Sequence, residues 1–166
     1  MGMIGIFVQA SMEQLYEFEK DSAAFITYIY SEEVQNSDAY LDVDKAWHAI
    51  NYCLTGKIDG DDEDNPLSFV VFGGAHTIDA DMGYGAPFTK TANQVEKANE
   101  ALKRITKEDL RANYDVQQLL EAGVYPIMEE EDEEEFFMYL WDSFQPLTTF
   151  FETAAQKGNG VLFFIS

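Results

Sequence analysis

Apolar residues fall into two short unbroken runs near the ends of the chain and into helical stripes between them. MIGIFV (3–8) and VLFFI (161–165) are continuous, β-branched and aromatic, with no polar face to show solvent. Each predicts a strand covered on both sides, and the two are expected to be neighbours in one sheet. Ser11-Met12-Glu13-Gln14 has the capping-box form, a hydroxyl followed three residues later by an amide, and opens a helix through about Lys20. Phe25, Ile26, Ile29 and Tyr30 recur at helical spacing and predict a second helix over 23–34.

LDVDKAWHAINYCLTG (41–56) carries the clearest stripe. Val43, Ala46, Trp47, Ile50, Cys53 and Leu54 share one face, Asp42 can cap the start, and Gly56 fits a left-handed stop. Asn65-Pro66 then suits an N-cap and first position, favouring a short helix over LSFVVF that Gly73 closes; a strand is the alternative there. Residues 73–88 are punctuated by glycine, with a short strand expected near 84–89. Thr91-Ala92-Asn93-Gln94 is another capping box, and Thr106 and Asp115 look like caps of further short helices, the second ending at Gly123. The last helix runs from about Asp132 to Lys157, with a kink expected at Pro146, its buried face marked by Phe137, Phe144 and Phe151 seven residues apart and by Leu140, Leu147 and Ala154 beside them. The result is an α+β protein, a single helix-rich domain over 1–166 with a small sheet that includes both terminal strands.

Several of these stretches occur together in one known family. MGMIGIFVQAS, LDVDKAWHAINYCLTG, NPLSFVVFGG, MGYGAPFTKTANQV, Tyr125-Pro126 and the closing GNGVLFFIS follow one another in this order. The chain resembles the YfbM-like proteins, a bacterial family of unknown function, over essentially its whole length. LDVDKAWH followed by LTG is the more specific part. The resemblance implies a small single-domain α+β protein and carries over no catalytic residues.

Charge changes the picture next. The chain holds 31 acids against 10 bases, a net charge of −21, and more than half of the excess lies in two short segments. These are DGDDEDN (59–65) and the seven consecutive carboxylates Glu129–Glu135. So acidic a surface repels phosphate backbones and anionic lipid, so neither nucleic acid nor membrane is expected as a partner. The opening MGMIGIFVQASME lacks a basic n-region, and Ile6 stands where a myristoylation signal needs Ser or Thr. Cys53 has no second cysteine to pair with, and no apolar run approaches the roughly 20 residues that span a bilayer. A cytoplasmic location is the expectation.

Candidate chemistry is sparse. DGDDEDN fails as an EF-hand in either register: starting at Asp59 puts Asp64 at the required Gly and Val70 at the bidentate Glu, and starting at Asp61 puts Pro66 and Phe72 there. Asp44 and His48, four residues apart on the expected helix, form the pairing a general base or metal ligand would use, although Asp42 and Asp44 also suit a helix start. The two histidines and Cys53 show no zinc-ligand spacing, so neither a metal nor a cofactor is expected. Glycines 73–85 match no phosphate-loop fingerprint, yet Asp81, Tyr84 and Tyr125 sit on irregular segments where sites tend to lie. The favoured reading is a non-enzymatic acidic module that binds a basic protein through Glu129, Glu130, Glu131, Asp132 and Glu133. The helix dipole accounts for only part of that run, and like charges at i, i+4 oppose the rest. The alternative is a small-ligand binder or enzyme with its site at Asp42, Asp44, His48, Asp81, Tyr84 and Tyr125, near the Gly83-Tyr84-Gly85 turn; the sequence names no catalytic residue.

Overall fold

The computed structural model describes residues 2–60 and 62–166. Four strands form one antiparallel sheet: β1 (Gly5–Ala10), β2 (Tyr40–Asp42), β3 (Phe88–Lys90) and β4 (Gly160–Ile165), in the order β2-β1-β4-β3. The two terminal runs are thus the central pair, with Phe7 opposite Phe163 and Ile6 opposite Phe164. Alternation along the strands divides the core. Phe7, Val161 and Phe163 point into a large cluster on one face, while Ile6, Val8, Leu162 and Phe164 point into a smaller one on the other.

The helices cover both faces. On the smaller side lie α1 (Met12–Lys20) and α2 (Ser22–Ile29), which bury Leu15, Phe18, Phe25 and Ile29. The larger side holds α4 (Trp47–Thr55), α5 (Ala92–Leu102), α6 (Lys107–Ala112), α7 (Val116–Glu121) and α8 (Glu133–Gln156). The heptad-spaced Phe137, Phe144 and Phe151 are all buried in α8, which runs unbroken through Pro146. The capping boxes at Ser11, Thr91 and Thr106 all form, and Asn65 caps a 3-10 turn over Pro66–Phe69. Among the described residues no helix is long and apolar enough to cross a membrane.

Two helical expectations need correction. The stretch 23–34 is broken at Ser31, whose Oγ accepts from Val34 N (3.3 Å) and starts a separate α3 (Glu32–Gln35). The stretch 41–56 is not one helix either: its first residues pair with β1, Leu41 opposite Phe7 and Asp42 opposite Ile6, and α4 begins only at Trp47. Asp42 therefore caps no helix, and Ala46 stands at the N-cap without a side-chain bond. A tertiary pairing has overridden a local helical pattern.

Candidate functional site

The acidic run divides at Asp132. Its Oδ1 accepts the amide hydrogen of Glu135 at 3.0 Å, the N-cap bond that starts α8. Glu133, Glu134 and Glu135 fill the first turn, where a carboxylate gains ~0.3–1 kcal/mol from the helix dipole. Glu129, Glu130 and Glu131 precede the helix, where Glu131 N bonds to Met128 O (3.1 Å) and turns the chain. Glu130/Glu134 and Glu131/Glu135 are not i, i+4 neighbours on one helix face, because the first member of each pair precedes the helix.

α6 and α7 meet this helix start. Arg111 Nη2 donates to both oxygens of Glu134 (2.9 and 2.7 Å), and its guanidinium carbon lies 4.2 Å from the centre of the Phe137 ring. Tyr114 Oη donates to the carbonyl of Glu133 (2.9 Å), and burial, with the Glu133 carboxylate adding to it, holds the phenol proton well above its ordinary range. An open cleft of about 890 Å³ lies between these elements. Its wall carries the carboxylates of Asp115, Glu121, Glu129, Glu131, Glu133 and Glu134 against one guanidinium, that of Arg111.

Half of those carboxylates are already in use. Glu134 holds Arg111; Asp115 caps α7 by accepting from Gln117 N (2.9 Å) and Gln118 N (3.2 Å); Glu121 accepts from Gln117 Nε2 (3.2 Å). The carboxylates of Glu129, Glu131 and Glu133 make no hydrogen bond or ion pair among the described residues. Unpaired charges of one sign around an open volume favour a cation there. Glu130 and Asp132 are not on the cleft wall. The sequence pattern points to Glu129, Glu131 and Glu133 but not to Arg111, Tyr114 or Glu121, because nothing local tells that α6 and α7 fold against the start of α8.

The second acidic run is separate. Lys57 Nζ lies 3.9 Å from Asp62 Oδ2, and Glu63 and Asp64 line a different hollow of about 670 Å³ that also holds Lys97 and Arg104. Asp61, and with it the second calcium register, lies outside the described residues.

The residues expected at a ligand site part company. Asp42 Oδ1 accepts from Asp44 N (2.7 Å), and Asp44, in a left-handed conformation with φ of 51°, accepts at Oδ2 from Tyr139 Oη (2.7 Å). Asp44 thus faces α8, and no hydrogen bond or ion pair joins it to His48. The imidazole of His48 stacks on Trp47, with ring centres 5.1 Å apart. Its Nδ1 accepts from Tyr125 N (2.9 Å), and its Nε2 lies 3.2 Å from the carbonyl oxygen of Ile58. Since an amide can only donate and a carbonyl only accept, the ring is the neutral Nε2–H tautomer with both nitrogens taken by main chain. Burial lowers its pKa, with the Ile58 carbonyl opposing. Tyr125 also stacks on Trp47, with ring centres 5.8 Å apart, and its Oη accepts from Met3 N (3.0 Å).

Asp42, Asp44, His48 and Tyr125 therefore gather around the start of α4, whereas Asp81 and Tyr84 do not join them. Asp81 Oδ1 accepts from Gly83 N (2.9 Å) and Gly85 N (3.4 Å), closing a turn on which Tyr84 is exposed. Neighbouring Ile78 and Met82 pack on the α1–α2 face of the sheet, and Trp47 and Tyr125 on the opposite one. Cys53 is buried, and burial pushes its thiol up to about 12, which makes it unreactive. Lys90 is the polar residue that the sequence pattern does not foresee. Completely enclosed, its Nζ donates to the carbonyl of Val71 and lies 5.6 and 5.4 Å from the ring centres of Phe88 and Phe163.

Comparison with known proteins gives the same relationship by sequence and by structure. The family model described as a domain of unknown function (DUF1877) matches residues 1–164. Protein YfbM of Escherichia coli (strain K12) is 27% identical over 167 residues, spanning 98% of this chain and 97% of its own length. The crystal structure of YfbM from Escherichia coli, a protein of unknown function, superposes with a TM-score of 0.72 at 20% identity, covering 99% of this chain and 100% of that one. This last likeness establishes the fold.

Proposed function

The chain belongs to the DUF1877 family, and we propose that it is a non-enzymatic acidic module that captures a basic protein, whose Lys or Arg side chains enter the cleft between α7 and the start of α8. One observation carries this reading. Glu129, Glu131 and Glu133 line the cleft with no hydrogen-bond or ion-pair partner among the described residues, and the first two lie outside the helix whose dipole would explain them. The alternative, a ligand or catalytic site at Asp44, His48 and the Gly83-Tyr84-Gly85 turn, has weaker support, because both nitrogens of His48 are engaged by main chain.

The test is fluorescence anisotropy of a dye-labelled oligolysine peptide with wild type, with E129Q/E131Q, and with the charge-matched control E63Q/D64N. Two exposed ion pairs at ~0.5–1 kcal/mol each correspond to an affinity about 5–30-fold weaker for E129Q/E131Q. Added salt should produce the same loss in wild type. Equal weakening in the control would reduce the effect to net charge, and unchanged affinity in E129Q/E131Q would remove the cleft from the function.

A further inference from the structure

His48 holds the segment that follows α7 by a bond that needs an unprotonated nitrogen. Nε2 already carries a hydrogen, directed at the Ile58 carbonyl oxygen, so a proton added to the ring goes to Nδ1. There it would confront the Tyr125 N–H across the same 2.9 Å, donor against donor. We propose that His48 is a proton-operated clasp. Neutral, it fastens Tyr125 and the segment that runs on to Glu131 to α4; protonated, it lets the Tyr125 amide go and that segment loosens.

The surroundings favour breaking this bond over turning the ring. Trp47 covers one face of the imidazole, and Phe72 meets it edge-on with centres 5.9 Å apart. The titratable groups on the segments packed against it are few. Lys57 and Asp59 flank Ile58 on the loop, and Tyr125 has its hydroxyl engaged by Met3 N. Along its own stretch of chain, Asp44 lies four residues before, Lys45 three residues before and on the same hollow as Tyr125, and Tyr52 one turn after. The release is bounded on one side, because Val124 is buried in the core and its N bonds to Leu119 O (2.9 Å), which fixes the end of α7. Burial already sets the His48 pKa below its ordinary 6.5, so release needs solution more acidic than that. The segment carries Glu129 and Glu131. A loss of cation capture on acidification therefore rests on the function proposed above, whereas release of Tyr125 does not.

The test uses the isotopically labelled full chain, followed by NMR from pH 7.5 to 5.0. At pH 7.5 the His48 ring should show the Nε2–H tautomer, and the Tyr125 amide should be protected from exchange. As pH falls, protection at Tyr125 and at Ile127 and Glu131, the amides bonded within the segment, should drop about fivefold or more, the scale of one lost hydrogen bond, with the midpoint of the His48 titration. Protection in β1, β4 and α5 should hold. His48→Asn keeps an acceptor near the place of Nδ1 but cannot titrate, so its segment should stay protected throughout. An Nδ1–H tautomer at pH 7.5, a His48 titration that leaves the segment unchanged, or the same loss of protection in H48N would each overturn the clasp. Should H48N not fold, the wild-type tautomer and shared midpoint decide alone, with the ring signals of His76 identified by their loss in His76→Gln.

Discussion

Tyr139 Oη donates to Asp44 Oδ2 at 2.7 Å and accepts the amide hydrogen of Lys45 at 2.9 Å, so one hydroxyl ties α8 to the corner between β2 and α4. The corner needs such a tie because Asp44 turns the chain with a φ of 51°, a conformation that Asp tolerates better than most side chains. Burial, and after it the bond to Asp44, keep this phenol protonated well above the ordinary tyrosine range. Tyr139→Phe leaves the Lys45 amide and the Asp44 carboxylate without their partner. The expected cost is ~1–3 kcal/mol, read from the midpoint of urea unfolding. Asp44→Asn, which keeps an acceptor and suits the left-handed turn, should lose less than Asp44→Ala. A Y139F midpoint equal to wild type would mean that the tie contributes nothing.

Much of this architecture is legible in the sequence, and the part that is not has one physical cause. Capping boxes at Ser11 and Thr91 and the heptad-spaced phenylalanines of α8 are local signals, and each appears where its spacing says. The apolar end runs are legible because nothing in them can face water. Leu41 and Val43 fit a strand as well as a helix, and only pairing with β1, more than 30 residues away, selects the strand for Leu41. His48 misleads for the same reason: its partners are Ile58 and Tyr125, the latter 77 positions on. Lys90 stands opposite Val161 in β3, so its burial depends on a strand at the other end of the chain. The cleft, assembled from α6, α7 and α8, has no local signature beyond its acids.

Trp47 supports the same corner from within. It is 4% exposed, packs on Tyr125, Phe72 and Phe163, and donates from Nε1 to Met3 O at 3.0 Å. Trp47→Ala should cost ~3–5 kcal/mol by chemical denaturation. Trp47→Phe keeps part of the packing, leaves the Met3 carbonyl unpaired, and should fall between the two. Truncation to Ala with little change in midpoint would show that the site collapses around the loss.

Lys90 gives a pH dependence with a definite sign. Burial holds its pKa well below 10.5, while in the unfolded chain the amine stays charged up to about that value. Folding therefore releases a proton in the window between the two values. Stability contributed by Lys90 is complete above 10.5 and is lost as pH falls through the window toward the folded pKa. Between pH 7 and 9.5, stability should rise more steeply in wild type than in Lys90→Met, by at most ~1.4 kcal/mol per pH unit. Cys53, whose thiol burial pushes up to about 12, acts with the opposite sign near the top of this range but does so equally in both proteins. Parallel stability curves would show that Lys90 carries its charge in the folded state.

The acidic run offers a last separation, between charge that serves the helix and charge that does not. Asp132 makes the N-cap bond to Glu135 N, so Asp132→Ala should cost ~0.5–2 kcal/mol. Glu129 and Glu131 precede α8, and their carboxylates make no hydrogen bond or ion pair among the described residues. E129Q/E131Q should therefore leave the melting temperature unchanged or raise it, since it relieves repulsion with the neighbouring acids without removing a cap. Any gain should be largest at low ionic strength and shrink in ~0.5 M salt, where exposed charges are screened over only a few ångströms. Destabilisation of E129Q/E131Q on the scale of Asp132→Ala would place the whole run in the service of the helix, and would leave the cleft without the surplus charge on which capture of a basic partner depends.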